Sequence, residues 1–181
     1  HIAFVMDGLK NCVANLADLM DRQLALMVDA KFNNGLPSNL TGAPSDRAEI
    51  NHGFKAIQIG VSAWTAEALK QTMPASAFSR STESHNQDKV SMGTIAARDC
   101  IRVLELTEQV AAAHVIATAQ AVELRRKMDA GDGAAPTETP VSRFAETVFT
   151  DFEFLAEDRA LETDLRGMID IVRARKWCLY E

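Results

Sequence analysis

Apolar and polar positions follow helical periods along most of the chain. Over residues 2–28, apolar side chains recur at Ile2, Val5, Met6, Leu9, Val13, Leu16, Met20, Leu24 and Met27. Steps of three and four gather side chains on one helical face, so the spacing predicts a helix with this stripe buried. Asp7, Lys10, Asp18 and Asp21 fall mainly off the stripe. Gly8 lowers helix propensity and marks either a close helix contact or a tolerated position. Residues 29–51 read as a loop, because Asn33-Asn34-Gly35 is a turn signal and Pro37, Gly42 and Pro44 keep breaking regularity. Connections this long without regular structure are uncommon in compact domains and often functional.

A second helix is predicted over 52–73, with Phe54, Ile57, Val61, Trp64, Ala68 and Leu69 near one side. Pro74 ends it, since the residue before proline avoids helical angles. A polar loop follows over 74–86, and then a long helix over 88–128. Asp88 near its start and Arg125, Arg126 and Lys127 near its end complement the helix dipole. Its stretch 110–122 is almost all alanine and aliphatic, as in a helix surrounded by other helices, and predicts self-association. Residues 129–140, rich in glycine, alanine and proline, read as a linker before two short helices over 141–155 and 158–176. No segment of any length alternates with a period of two. The fold class is therefore all-α, a bundle of long helices: a core over 1–128, a linker over 129–140 and a helical tail over 141–181.

Composition narrows the function classes. With 181 residues, 47% hydrophobic and 24% charged, the chain can bury a core. A net charge of -6 argues against a dedicated nucleic-acid binder. No apolar run spans a bilayer, so neither nucleic acid nor membrane is expected as a partner. Cys12, Cys100 and Cys178 are odd in number and far apart. That is neither a disulfide framework nor a zinc pattern, and it suits a reducing cytoplasm. His1, His52, His85 and His114 are unclustered, so no metal site is expected. The chain opens within an apolar pattern without an initiator methionine or a basic signal region, as a piece of a longer chain would.

The segment with the most varied chemistry is Ser81-Thr82-Glu83-Ser84-His85-Asn86-Gln87-Asp88. At a loop-to-helix junction it has two readings: capping by Asn86 or Ser84, or binding of a polar ligand such as an amino acid at free N–H groups. His85 is a weak general-base candidate without a visible partner. His114, in the alanine-rich helix, reads as a satisfied core histidine. Lys55 either snorkels to solvent or points a charge into a site. Physical reading alone stops here, at a helical bundle with a polar loop.

Four segments carry a resemblance. They are Phe32-Asn33-Asn34-Gly35-Leu36-Pro37-Ser38-Asn39-Leu40-Thr41; Gly53-Phe54-Lys55; Glu83-Ser84-His85-Asn86-Gln87-Asp88 with Val90-Ser91-Met92-Gly93 and Ala96-Ala97-Arg98; and Gln120-Ala121-Val122-Glu123-Leu124-Arg125. In this order, over residues 1 to about 125, the chain resembles the C-terminal part of the aromatic amino-acid ammonia-lyases, which include phenylalanine, tyrosine and histidine lyases and related aminomutases. The tail around Asp158-Arg159-Ala160-Leu161 fits more loosely.

The resemblance implies a helical, tetrameric enzyme of the cytoplasm. Its electrophile, methylidene imidazolone (MIO), is made from an internal Ala-Ser-Gly, and ammonia is eliminated to leave an unsaturated acid. By position, it implies that Glu83 faces the substrate amine or the cofactor and that Asn86 and Gln87 support the electrophile and the base. Lys55 and Ile59 would line the aryl pocket, and the loop from Asn33 to Leu40 would stand near its wall. Histidine lyases carry a carboxylate at the position of Gln87, so the amide here favours phenylalanine or tyrosine as substrate, giving cinnamate or coumarate. The stretch after Asp88 looks bacterial rather than plant-like. Ala-Ser-Gly does not occur in the 181 residues, and the single tyrosine, Tyr180, lies where the family places no base. This chain alone is therefore expected to be inert. The alternatives are a histidine lyase, an aminomutase, or a non-catalytic helical assembly module.

Overall fold

The computed structural model describes residues 1–131 and 138–177. Among these residues there are five α-helices: α1 (Ile2–Val28), α2 (Lys55–Lys70), α3 (Gly93–Gly131), α4 (Pro140–Val148) and α5 (Glu162–Ala174). Among the described residues there is no strand. No described helix is long and apolar enough to cross a membrane.

Side-chain bonds along α1 and α3 fix their direction. Lys10 reaches Asp99, Thr107 reaches the Val13 carbonyl, and Thr118 lies against the sulfur of Met27. The two helices therefore run parallel. Helix α2 runs back between them, tied by Ser62 to Asp21 and by Arg102 to Glu67. Helices α4 and α5 pack on α3, and Phe152, Leu155 and Leu161 from the segment between them enter the core beside Leu40 and Phe54.

One packing expectation is overturned, and the ground of a second changes. The buried face of α1 is Ala3, Asp7, Lys10, Val13, Ala14, Ala17, Asp21, Leu24 and Val28. Ile2, Val5, Leu9 and Leu16, expected inside, stand in solvent, about 100° round the helix from that face. The cause is chemical. Asp7, Lys10 and Asp21 find partners on α2, α3 and the loop after α2, and the small Ala3, Ala14 and Ala17 let the helices approach. The expected self-association of 110–122 rests on an apolar circumference left open by its neighbours. In the structure Val110, Ala112, Ala113, Ile116, Ala117, Ala119, Gln120 and Ala121 are buried by neighbours within the same chain.

Helix boundaries shift where local bonds compete. α2 starts at Lys55 rather than 52 because Gly53 is left-handed, with φ 50°. It stops at Lys70, where the Gln71 N–H reaches back to Glu67 and Ala68. α3 starts at Gly93, so Asp88 lies outside its first turn and the capping reading of Asn86 and Ser84 falls. Its far end reaches Gly131, which leaves Arg125, Arg126 and Lys127 inside the helix. Arg126 pairs with Glu123 at 2.7 Å instead. The expected linker therefore begins as helix, and its residues 132–137 lie outside the described residues. α4 opens on a capping box in which Thr139 and Ser142 exchange bonds, and it closes at Val148 instead of 155. The backbone of Leu155 is claimed by Gln120, which holds that segment out of a helix.

Candidate functional site

Three of the four motif segments meet at one end of the bundle. Gln120, fully buried, donates from Nε2 to the carbonyls of Leu40 (3.2 Å) and Leu155 (3.0 Å) and accepts the Leu155 N–H at 3.0 Å. Arg125 donates to the Asn34 carbonyl at 2.6 Å. The Phe54 N–H donates to the Asn39 carbonyl at 2.8 Å. A Cβ on Gly53 would lie 2.5 Å from that same oxygen, so only glycine fits there. Asp158 accepts from the His52 and Gly53 N–H groups at 2.7 and 2.8 Å, ahead of α2. Asn34, Asn39 and Leu40 have positive φ, a conformation that side chains disfavour. Lys55 and Ile59, one turn apart on α2, project into solvent at this end, and Ile59 is 65% exposed.

The remaining motif is held at the other end, in the loop between α2 and α3. The Ala75 and Ser76 N–H groups donate to the Asp7 carboxylate at 3.0 and 2.9 Å. Ser79 Oγ donates to the Val90 carbonyl at 2.6 Å and accepts the Val90 N–H at 2.9 Å. The Thr82 N–H donates to the Gln87 carbonyl at 3.0 Å, and the Gln87 N–H donates to Thr82 Oγ1 at 2.9 Å. Inside that closed turn, Ser84 and His85 take φ of 51° and 58°. Glu83, Asn86 and Gln87 are exposed, and none of these side chains takes a hydrogen-bond partner among the described residues. His85 Nδ1 stands 3.2 Å from Ser81 Oγ.

The structure thus gathers Glu83, Asn86 and Gln87, and separately gathers Lys55 and Ile59. The two groups are not brought together. Phe54 lies beside the loop that Gln120 binds, whereas the polar loop is rooted beside the first turns of α1 and α3. From Gly93 to Gln120, α3 rises about 40 Å.

Burial pushes the His114 imidazole below its usual range. Its Nε2 is buried without a partner among the described residues, so the expected satisfied core histidine is only half satisfied. Burial raises the Cys100 thiol, against a smaller opposing effect of Lys10, and leaves it a poor nucleophile. Cys12 is exposed, and Cys178 and Tyr180 lie outside the described residues. Among the described residues no three His, Cys, Asp or Glu gather as a metal site would require. A cavity of about 650 Å³ lies between α2 and α5, walled by Gly60, Trp64, Asp158, Leu165 and Ile169, and none of the five site candidates lines it.

Sequence reading placed Gln120 in a motif without a role and missed the Asp7–Lys10 pair. One signal for Gln120 was available: it is a polar side chain set in an alanine-rich run.

The fold and the strained polar loops define a class, an all-helical bundle that presents its chemistry at both ends. A family model for aromatic amino acid lyases matches residues 1–147, and the chain belongs to that family. It is 35% identical to the tyrosine ammonia-lyase of Cereibacter sphaeroides over 168 residues, 93% of this chain and 31% of that protein. Against the histidine ammonia-lyase of Natranaerobius thermophilus the identity is 29%, over 94% of this chain and 32% of that protein. The crystal structure of a tyrosine aminomutase from Streptomyces globisporus superposes with a TM-score of 0.84 at 28% identity, over 96% of this chain and 31% of that one. The chain therefore spans about a third of the length of the relatives it matches.

Proposed function

We propose that this chain is the C-terminal part of a cytoplasmic ammonia-lyase that eliminates ammonia from L-tyrosine or L-phenylalanine. One observation carries the reading: Glu83, Asn86 and Gln87 stand together, their side chains without hydrogen-bond partners among the described residues, on a turn whose backbone is fixed by four hydrogen bonds. A free carboxylate beside two free amides suits a substrate ammonium and the polar atoms of the MIO electrophile, so the residues present fit that group. When present, MIO supplies the electrophile that makes the amine a competent leaving group. Glu83 holds the ammonium by charge-assisted hydrogen bonds, and Asn86 and Gln87 orient their partners by amide bonds. Lys55 and Ile59 line the aryl side of a site.

The two groups lie at opposite ends of one chain, so each completed site takes them from different copies, and the enzyme is a homo-oligomer, a tetramer by family resemblance. The surface for such assembly is on α1. Ile2, Val5, Leu9, Cys12, Leu16, Leu19 and Leu26 fall at alternating three- and four-residue steps, interrupted by Gln23. That is the seam of a coiled coil, and all of it faces solvent.

An amide at Gln87 and the higher identity to a tyrosine lyase than to a histidine lyase support an aryl substrate. The test is product analysis of the full-length protein with L-tyrosine, L-phenylalanine and L-histidine. Coumarate or cinnamate with ammonia is expected. A β-amino acid moves the enzyme to the aminomutases, urocanate makes histidine the substrate, and no product favours a non-catalytic assembly module. The 181-residue chain alone is expected to give no turnover, since it carries no Ala-Ser-Gly.

A further inference from the structure

We propose that Asp7 and Lys10 are positioning residues for the 81–88 loop, gripping its root so that Glu83, Asn86 and Gln87 are presented in one fixed arrangement. This rests on the reading above, that these three side chains face the substrate.

Lys10 is wholly buried, an unusual place for a lysine. Its Nζ donates to the Met73 carbonyl at 2.7 Å and lies 3.1 Å from Asp7 and 3.3 Å from Asp99. Asp7 in turn accepts the N–H groups of Ala75 and Ser76. Two side chains of α1 thereby hold the backbone of residues 73, 75 and 76, where the chain leaves α2. A buried charge cluster is poor value as stabilisation, because apolar side chains of the same size would do as well. What apolar side chains cannot do is hold carbonyl and N–H groups of a departing loop in one register.

That register passes outward in steps. Beyond the clamp, Ser79 and Val90 close the loop with reciprocal bonds. Beyond them, Thr82 and Gln87 close the turn that carries the three polar side chains. Each step contains only backbone groups and short side chains, so a shift at residues 73–76 reaches Gln87 with little to absorb it.

The experiment uses the full-length enzyme with Asp7→Asn, Lys10→Met and Ser79→Ala variants. kcat is expected to fall about 10- to 100-fold, with KM changed by no more than about twofold, because geometry rather than binding is lost. Hydrogen exchange of residues 77–92 is expected to quicken by a larger factor than that of the α2 and α3 amides, which follow global stability. Should the two buried variants fail to fold, Ser79→Ala opens the same register without touching the buried pair. Unchanged exchange of the loop in a folded variant overturns the proposal, and so does an equal loss of protection across α2 and α3, which marks a merely structural role. A Glu83→Gln control separates the two readings. If it is fully active, the site assignment fails, whatever the exchange shows. If it is inactive while Asp7→Asn changes neither exchange nor kcat, the clamp alone fails.

Discussion

At the scale of single residues, two buried polar side chains, Asp7 and Gln120, act by binding backbone. Burial would raise the Asp7 carboxyl, but hydrogen bonds from Ser76, Lys10 and Ala75 outweigh it and hold the pKa at about 2, against 3.8 for a free side chain. A lowered carboxyl contributes stability above the free value, and that contribution is lost as pH falls toward the folded value. Asp7→Asn is therefore expected to cost about 2 kcal/mol at pH 7. The difference between it and the parent should shrink as pH falls from about 4 to 2 in urea titrations. Gln120 is the second such residue. Gln120→Leu strands the Leu155 N–H and the Leu40 carbonyl in the core, while the Leu155 carbonyl keeps the Gly42 N–H, and is expected to cost about 3 kcal/mol, with the helix content of the native state retained.

At the scale of elements, Gly53 decides where α2 can begin. Gly53→Ala sets a Cβ 2.5 Å from the Asn39 carbonyl at a positive φ, and is expected to cost about 2 kcal/mol in thermal or denaturant unfolding. The elements themselves were legible from periodicity: α1 matches its predicted limits at 2–28, and α2 and α3 differ by a few residues at each end. What periodicity could not supply was the face. α1 is apolar on two sides, so hydrophobic spacing cannot choose between them. The choice is made by which polar residues, Asp7, Lys10 and Asp21, find partners in distant segments. Residue chemistry alone singled out 81–88 but left it between capping and binding, and the roles proposed for its side chains came only through resemblance. Spacing placed 81–88 against a helix start that lies five residues further on, because the Ser79–Val90 bonds delay α3. The reach from the Asn33–Leu40 loop to Gln120 and Arg125 spans 80 to 92 residues, beyond any local pattern.

At the scale of the whole molecule, the proposed assembly has one chain supply halves of different sites. Lys55→Ala and Glu83→Gln full-length enzymes are each expected to be inactive, and refolding the two together should restore part of the activity, since some mixed sites receive both wild-type groups. No recovery would overturn the assignment of the two groups to sites shared between copies. The α1 seam gives a second test. Leu16→Glu with Leu19→Glu, both on exposed positions, should leave the helix content intact and reduce the mass seen by light scattering. The same seam carries a thermodynamic consequence. Side chains that meet water in a lone chain are buried only by association, so part of the folding free energy is a term in protein concentration. Thermal midpoints of the intact enzyme should then fall on dilution, whereas those of the Leu16/Leu19 double variant should not move.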